Sequence, residues 1–284
     1  MKISAKYPAS VGEVVQGSFN GKDVLMSFPV SLFTEVTLFE RKASKDKYNN
    51  LKTMRFLENI LNRWGFEKYI NNIDISISSN IPRGKGFASS TADLCALYYA
   101  LLRFFGREFN ERELIEECIN IEPTDSIIFD KATVFDYKEG SYKKTLGEYP
   151  KLHILVFEGK RIIDTVSFNK KELKPLKDVG NLIKKVEKAL KVGSVKDIGE
   201  AATLSIVKNC DRLSYDILGK VLRLKDETCG IGIIGAHSGD MLGIIYDDKY
   251  ALDSAKEKVE NIKNYKIYEL ETLLGAEMRR GIYK

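Results

Sequence analysis

Pro82-Arg83-Gly84-Lys85-Gly86-Phe87-Ala88-Ser89-Ser90-Thr91-Ala92-Asp93 follows a short alternating run, Ile73 to Ser78, and leads into Leu94, Leu97, Tyr98, Leu101, Leu102 and Phe105 at helical spacing. The order predicts a strand, a glycine-rich turn and an amphipathic helix from about Ser89 to Phe105, with Gly106 as its C′ residue. Glycines let a backbone come close to a bulky anion, and the free N–H groups and positive dipole end of a helix hold phosphate. Lys85 would add a mobile positive charge, and the Ser89 and Ser90 hydroxyls can bond phosphate or a metal ion. A serine-capped turn also starts many ordinary helices. The loop is not a G-x-G-x-x-G, since Gly84 and Gly86 are followed by Ser89. The chain also lacks G-x-x-x-x-G-K-[ST] and the protein-kinase signature set.

Outward from this stretch, strands and helices alternate without a regular βαβ rhythm. Lys2 to Tyr7 reads as a strand meeting a turn-prone Pro8-Ala9-Ser10-Val11-Gly12, and Val24 to Glu40 is further strand material. Leu51 to Trp64 and Glu111 to Ile119 carry helical spacing. Beyond Glu122-Pro123-Thr124-Asp125 come strands through Thr133 to Tyr137 and Leu152 to Phe157, then three helices from Val179 to about Leu224. A hairpin of Gly230 to Gly235 with Met241 to Tyr246 encloses Ala236-His237-Ser238-Gly239. A last helix is expected over Ala251 to Ile262 and a last strand over Lys266 to Leu270. This mixed order says α+β, with a domain boundary at Tyr149-Pro150 dividing 1–150 from 151–284.

Composition narrows the class. With 44% hydrophobic and 30% charged residues the chain can build a core and shows no compositional sign of disorder. Lys+Arg exceed Asp+Glu by 45 to 40, a mild excess compatible with anionic ligands. The basic residues are interleaved with acids and lack a stacking aromatic series, which speaks against nucleic acid. Cys95, Cys118, Cys210 and Cys229 form no C-x-x-C pair, and His153 and His237 are too few and too far apart for a zinc site. The opening MKISAKYPAS lacks the apolar run of a signal peptide, and Leu94 to Leu102 is too short to cross a bilayer. The expectation is a cytoplasmic protein without a membrane partner.

Pro82-x-x-x-Gly86-Phe87-Ala88-Ser89-Ser90 resembles the central P-x-x-x-G-L-G/A-S-S motif of the GHMP kinases. Pro8-Ala9-Ser10-Val11-Gly12-Glu13-Val14-Val15-Gln16-Gly17 and Gly235-Ala236-His237-Ser238-Gly239 stand where that family has its first and third motifs. These strings, with E-P-T-D-S, are similar to the family's L-threonine kinases of cobalamin synthesis. The resemblance implies an N-terminal domain like domain 2 of ribosomal protein S5, a ferredoxin-like C-terminal domain, and ATP and Mg²⁺ in the cleft between them. The phosphates would lie on Pro82, Arg83, Gly84, Lys85, Gly86, Phe87, Ala88, Ser89, Ser90 and Thr91, with His237 and Ser238 nearby.

The same resemblance makes Asp125 the group that accepts the hydroxyl proton or orients the alcohol, with Glu122 as the alternative. A turn aspartate after Pro123 is also common in ordinary proteins. Two counts for the Mg²⁺ ligand stay open: Glu117 by distance from the proline, Glu122 by the E-P-T-D-S string, either one with Ser90. Ser10, Glu13 and Gln16 could meet L-threonine, the carboxylate of Glu13 suiting an ammonium group. Arg279 and Arg280 could meet its carboxylate or form a solvated tail. Homoserine, serine and isoprenoid-precursor kinases are the nearest alternatives, and a catalytically silent ligand-binding protein is a more distant one.

Overall fold

The computed structural model describes residues 1–44, 50–162, 174–212, 215–259 and 265–282. Strands β1 (Lys2–Ser10), β4 (Pro29–Glu40) and β5 (Ile73–Ser79) form one antiparallel sheet in the order β1-β4-β5. The expected turn at Pro8–Gly12 is corrected here, because Pro8, Ala9 and Ser10 continue β1. They can do so because β1 is an edge strand, where a missing N–H breaks no ladder, and the register shifts between Pro8 and Ala9. The stretch Val24–Glu40 is two strands. β3 (Lys22–Met26) joins β2 (Val15–Phe19), β6 (Ala132–Asp136) and the exposed edge strand β7 (Lys143–Gly147) in a second sheet of order β2-β3-β6-β7.

Helices α1 (Leu51–Trp64), α2 (Ser89–Phe105) and α3 (Glu111–Ile121) start and stop on local signals. Asn50 Oδ1 accepts from the Thr53 N–H at 3.3 Å to cap α1, and Gly65 ends it at φ +75°. Gly106 ends α2 at φ +63°. An amphipathic α2 was expected, yet almost its whole circumference is buried, Ala92, Cys95, Ala96 and Ala100 included. It lies against β1 and β4 on one side and α1 and α3 on the other, and small residues let those neighbours approach.

The C-terminal half is a four-stranded antiparallel sheet in the order β11-β8-β10-β9, from β8 (His153–Glu158), β9 (Gly232–Gly235), β10 (Met241–Tyr246) and β11 (Lys266–Glu271). Helices α4 (Gly180–Val192), α5 (Val195–Asn209) and α6 (Leu218–Glu227) connect β8 to the β9–β10 hairpin, and α7 (Lys249–Val259) connects β10 to β11. Strand, helices, hairpin, helix, strand, with β8 and β10 central, is the ferredoxin-like arrangement. Ile154 and Val156 point into the main core, which also holds Tyr7, Leu97 and Ile198, whereas Leu155 and Phe157 point into a second core with Val221 and Leu252. Burial on both faces explains why these strands read as unbroken apolar runs. The string Gly230-Ile231-Gly232-Ile233-Ile234-Gly235 spells G-x-G-x-x-G but runs into β9. A Cβ at Gly232 would overlap Gly199 of α5, so the glycine serves helix–sheet contact. The expected last helix ends its described part at Val259, its remaining positions 260–262 lying outside the described residues. A further helix, α8 (Gly275–Ile282), follows β11 where no helix was expected; it carries Arg279 and Arg280, whose side chains lie outside the description.

Candidate active site

Three segments far apart in sequence meet at one place. Ser10 N–H donates to Phe87 O at 3.1 Å and Gly12 N–H to Gly86 O at 3.3 Å, which joins the end of β1 to the glycine-rich loop. Glu13 N–H donates to Gly235 O at 3.2 Å, and Asp240 N–H to Lys85 O at 3.1 Å, which brings in the β9–β10 hairpin. A Cβ at Gly12 would overlap the Gly235 backbone, and one at Gly86 would overlap the Ala236 methyl. Gly12, Gly84 and Gly86 have φ of +59°, +68° and +95°, so glycine is required there for conformation as well as for space. Ala88, the residue before α2, also takes a left-handed φ of +53°, an unusual cost for a residue with a Cβ.

Behind this junction lies a cleft with about 820 Å³ of empty space, part of it open to solvent. Gly84, Gly86, Phe87, Ala88, Ser89, Ser90 and Thr91 line one wall, followed by α2, whose N-terminal N–H groups face a region free of side-chain caps. Glu122, Pro123, Thr124 and Asp125 form a second wall, and Glu13, Gln16, His237 and Ser238 a third. Leu25, Tyr137 and Arg212 complete it.

Asp125 follows α3 and caps a short 3-10 turn, its Oδ1 accepting from the Ile127 N–H at 3.0 Å. Oδ2 accepts from Ser27 Oγ at 3.0 Å and from Ser10 Oγ at 3.4 Å, and the Asp125 N–H donates to Thr91 Oγ1 at 3.1 Å. Burial among these groups, with the Glu13 carboxylate adding repulsion, pushes its carboxyl up to about 7 despite the hydrogen bonds that oppose the shift. The carboxylate is therefore held by many partners, contrary to the bland turn position that its sequence context allowed. Ser10 and Thr91 both meet Asp125; Thr91 also lines the cleft, whereas Ser10 does not, which corrects the assignment of Ser10 to the substrate.

Glu122 and Glu117 part company. Ser90 Oγ donates to Glu122 Oε1, and Lys52 Nζ pairs with Glu122 Oε2 at 2.7 Å. Glu117, though buried, sits in another cluster, with Arg63 Nη1 at 3.0 Å from its Oε1 and Arg63 also reaching Glu116 at 2.6 Å. The metal assignment to Glu117 is corrected on that ground, since it neither lines the cleft nor meets Ser90. Two charges of the loop are also corrected. Lys85 is pinned, its Nζ donating to Gly159 O at 2.7 Å and Arg161 O at 2.8 Å, so it is not a mobile charge. Arg83 pairs with the buried Asp93 at 2.9 Å, and neither Arg83 nor Pro82 lines the cleft.

Glu13 Oε2 accepts from the His237 backbone N–H at 2.9 Å and faces its ring Nδ1 at 3.0 Å. Lys52 and Arg212 are the residues that sequence reasoning missed. Lys52 is one lysine on an exposed helix start, and Arg212 follows the end of α5 in a turn. Nothing local marks either one, because the packing of α1 brings Lys52 to Glu122 and the end of α5 brings Arg212 to the cleft.

The family described as GHMP kinases N terminal domain matches residues 51–133, and that described as GHMP kinases C terminal matches residues 186–266. A protein named L-threonine kinase from Citrobacter freundii is 30% identical over 249 residues, covering 86% of this chain and 86% of that protein. Another of the same name from Salmonella typhimurium is 31% identical over 255 residues, covering 86% and 83%. A solved homoserine kinase from Cytophaga hutchinsonii has the same fold, with a TM-score of 0.73 at 16% identity over 96% of this chain and 95% of its own.

Proposed function

The chain belongs to the GHMP kinases, and we propose that it transfers the γ-phosphoryl group of ATP to the side-chain hydroxyl of L-threonine, giving O-phospho-L-threonine. The observation that carries this is one cleft in which Asp125, the Ser90–Glu122 pair and the N-terminus of α2 converge. Support for threonine comes from the two relatives of that name. The resemblance of the motifs adds that the product would feed the aminopropanol linker of cobalamin, with residues 1–150 and 151–284 as the two working units.

Phosphoryl transfer asks for positioning and for neutralised charge more than for covalent chemistry. In this reading the N–H groups from Gly84 to Ser90 hold the phosphates. Ser90 Oγ and Glu122 Oε1 are hard oxygen donors already in contact, a set that suits Mg²⁺ with phosphate oxygens and water completing its shell. Held there by Ser90 and Glu122, Mg²⁺ would offset the charge of the phosphates. Asp125 takes the hydroxyl proton, its rise to about 7 making it a competent acceptor near neutrality. Arg212 is a guanidinium on the cleft wall that can pair with the substrate carboxylate. Among the described residues no helix is long and apolar enough to cross a membrane, and neither membrane nor nucleic acid is needed as a partner.

The test is ADP release by the purified chain with L-threonine, L-serine, L-homoserine and mevalonate. L-threonine is expected to give the highest kcat/KM, with serine roughly 10- to 200-fold lower for its missing methyl. A faster reaction with homoserine or mevalonate would move the substrate assignment elsewhere in the family.

A further inference from the structure

His237 is a lone histidine in a hairpin turn, yet its surroundings fix its chemistry. A carboxylate oxygen only accepts hydrogen bonds, so the ring Nδ1 facing Glu13 Oε2 at 3.0 Å carries the hydrogen. In the tautomer with a single hydrogen on Nδ1, Nε2 is an acceptor. Nε2 is buried and has no hydrogen-bond partner among the described residues, although His237 lines the cleft. A buried acceptor left unmatched costs free energy, about as much as a lost hydrogen bond, unless a ligand supplies the donor. Gln16 repeats the pattern in the same cleft: its Oε1 is buried, without a partner among the described residues, and Gln16 also lines the cleft.

We infer that Glu13, His237 Nε2 and Gln16 Oε1 form an acceptor-only pocket for a primary ammonium group, so that the cleft selects α-amino alcohols over hydroxy acids of the same shape. An –NH₃⁺ offers three donors and one positive charge. The pocket offers acceptors and one negative charge. A phosphate beside Glu13 would meet a like charge, which separates the ammonium end from the phosphate end at Gly84 to Ser90. Glu13 has a double part: Oε2 fixes the imidazole tautomer, and Oε1 is left for the ammonium. His237, assigned to the phosphates from the sequence, becomes a specificity-determining residue.

This inference rests on the proposed kinase reading for its choice of amino alcohol, and two measurements separate the two. Calorimetry on the wild-type protein with L-threonine and (R)-3-hydroxybutyrate, which differ only in the amino group, should show the hydroxy acid weaker by about 100-fold or more. In His237→Phe, L-threonine should weaken by about 10- to 100-fold, while (R)-3-hydroxybutyrate and a non-hydrolysable ATP analogue keep their affinities. Because the chain has two histidines, ¹⁵N NMR can assign the His237 ring directly in the wild type, whatever the variant's folding. The expected spectrum has hydrogen on Nδ1 only, with Nε2 shifting on addition of L-threonine and not of the nucleotide. Equal affinity for the two ligands, a protonated Nε2, or a loss in His237→Phe that falls on the nucleotide would overturn the pocket. If L-threonine is phosphorylated but any of those results is found, the pocket alone fails; if only a non-amino alcohol is phosphorylated, both fail.

Discussion

Glu117 and Glu122 stand five residues apart at the end of α3, and they live in opposite electrostatic worlds. Glu117 belongs to the outer cluster, where Arg63 reaches Glu113, Glu116 and Glu117 within 4.0 Å and an arginine therefore meets every acid in range. One turn later, Glu122 and Asp125 face the cleft. Lys52 offsets Glu122, but Asp125 has hydroxyls and an N–H for partners, and the charge that acts on it is the like-signed Glu13. The first cluster is electrostatically complete as it stands. In the second, Asp125 has no ion pair among the described residues, an imbalance that ligands carrying positive charge would offset.

The widest expected separation between the two regions is in turnover. Asp125→Asn keeps size and most hydrogen bonding but discards the basicity, so kcat should fall by about 10²- to 10⁴-fold. Glu117→Gln in the outer cluster should change kcat by less than about twofold. ATP affinity should hold in both, because the loop from Gly84 to Ser90 is untouched. Steady-state kinetics with calorimetry on the same preparations would decide it; near-normal turnover in Asp125→Asn would remove the role given to that residue and turn attention to Glu122.

The pH profile sharpens the same contrast. Asp125 must be ionised to accept a proton, and its carboxyl is raised to about 7 by burial and by Glu13. The acid limb of kcat/KM should therefore drop about tenfold per pH unit below 7. A bound ammonium group and Mg²⁺ would favour the ionised form, so the limb of kcat should lie at lower pH than that of kcat/KM. Glu117→Gln should leave both limbs where they are. A flat kcat/KM between pH 5 and 7 would show that proton acceptance by Asp125 does not control the rate.

Ser90 tests the second half of the cleft. Ser90→Ala removes the hydroxyl that meets Glu122, so KM for Mg·ATP should rise roughly 10-fold, the scale of one hydrogen bond to a charged group. Excess Mg²⁺ should rescue only part of the loss, because Glu122 and phosphate oxygens remain as ligands. Wild-type kinetics would make Ser90 a helix-starting residue and nothing more.

How much of this could be seen in the chain beforehand depends on the range of the forces involved. The span Ser89–Phe105 and its Gly106 stop were readable because capping and left-handed glycine are local physics. So was the glycine-rich turn ahead of it, where Gly84 and Gly86 take φ of +68° and +95°. The destination of a long side chain was not readable. Lys85 sits in the middle of the loop, yet its Nζ reaches carbonyls at Gly159 and Arg161 across the molecule. Glu117 and Glu122 look interchangeable in sequence, and only the packing of α1 beside α3 gives one of them Arg63. The strand β7, Lys143–Gly147, was missed because an exposed edge strand carries almost no apolar alternation.

The smallest expected effect is on stability, and its sign runs against intuition. Asp125 ionises near 3.9 in the unfolded chain and at about 7 when folded. Below pH 3.9 both states hold the proton and the group contributes no pH dependence. Between 3.9 and 7 the folded state binds more protons than the unfolded one, so stability falls as pH rises, and above 7 the full penalty of a poorly solvated carboxylate is present. The limit set by about three pKa units is ~4 kcal/mol; cleft water and side-chain relaxation should leave on the order of 2 kcal/mol. Asp125→Asn, though nearly inactive, should then melt a few degrees above wild type at pH 8, with the gap closing as pH approaches 4. Glu117→Gln should do the reverse, losing stability at pH 8 because Arg63 is left with a weaker partner. Thermal melts of the three proteins across that range, without nucleotide or Mg²⁺, measure it. An Asp125→Asn protein that melts below wild type at pH 8 would mean that the carboxylate is stabilised where it sits, and that the contrast between the cleft and the outer cluster is not one of unbalanced charge.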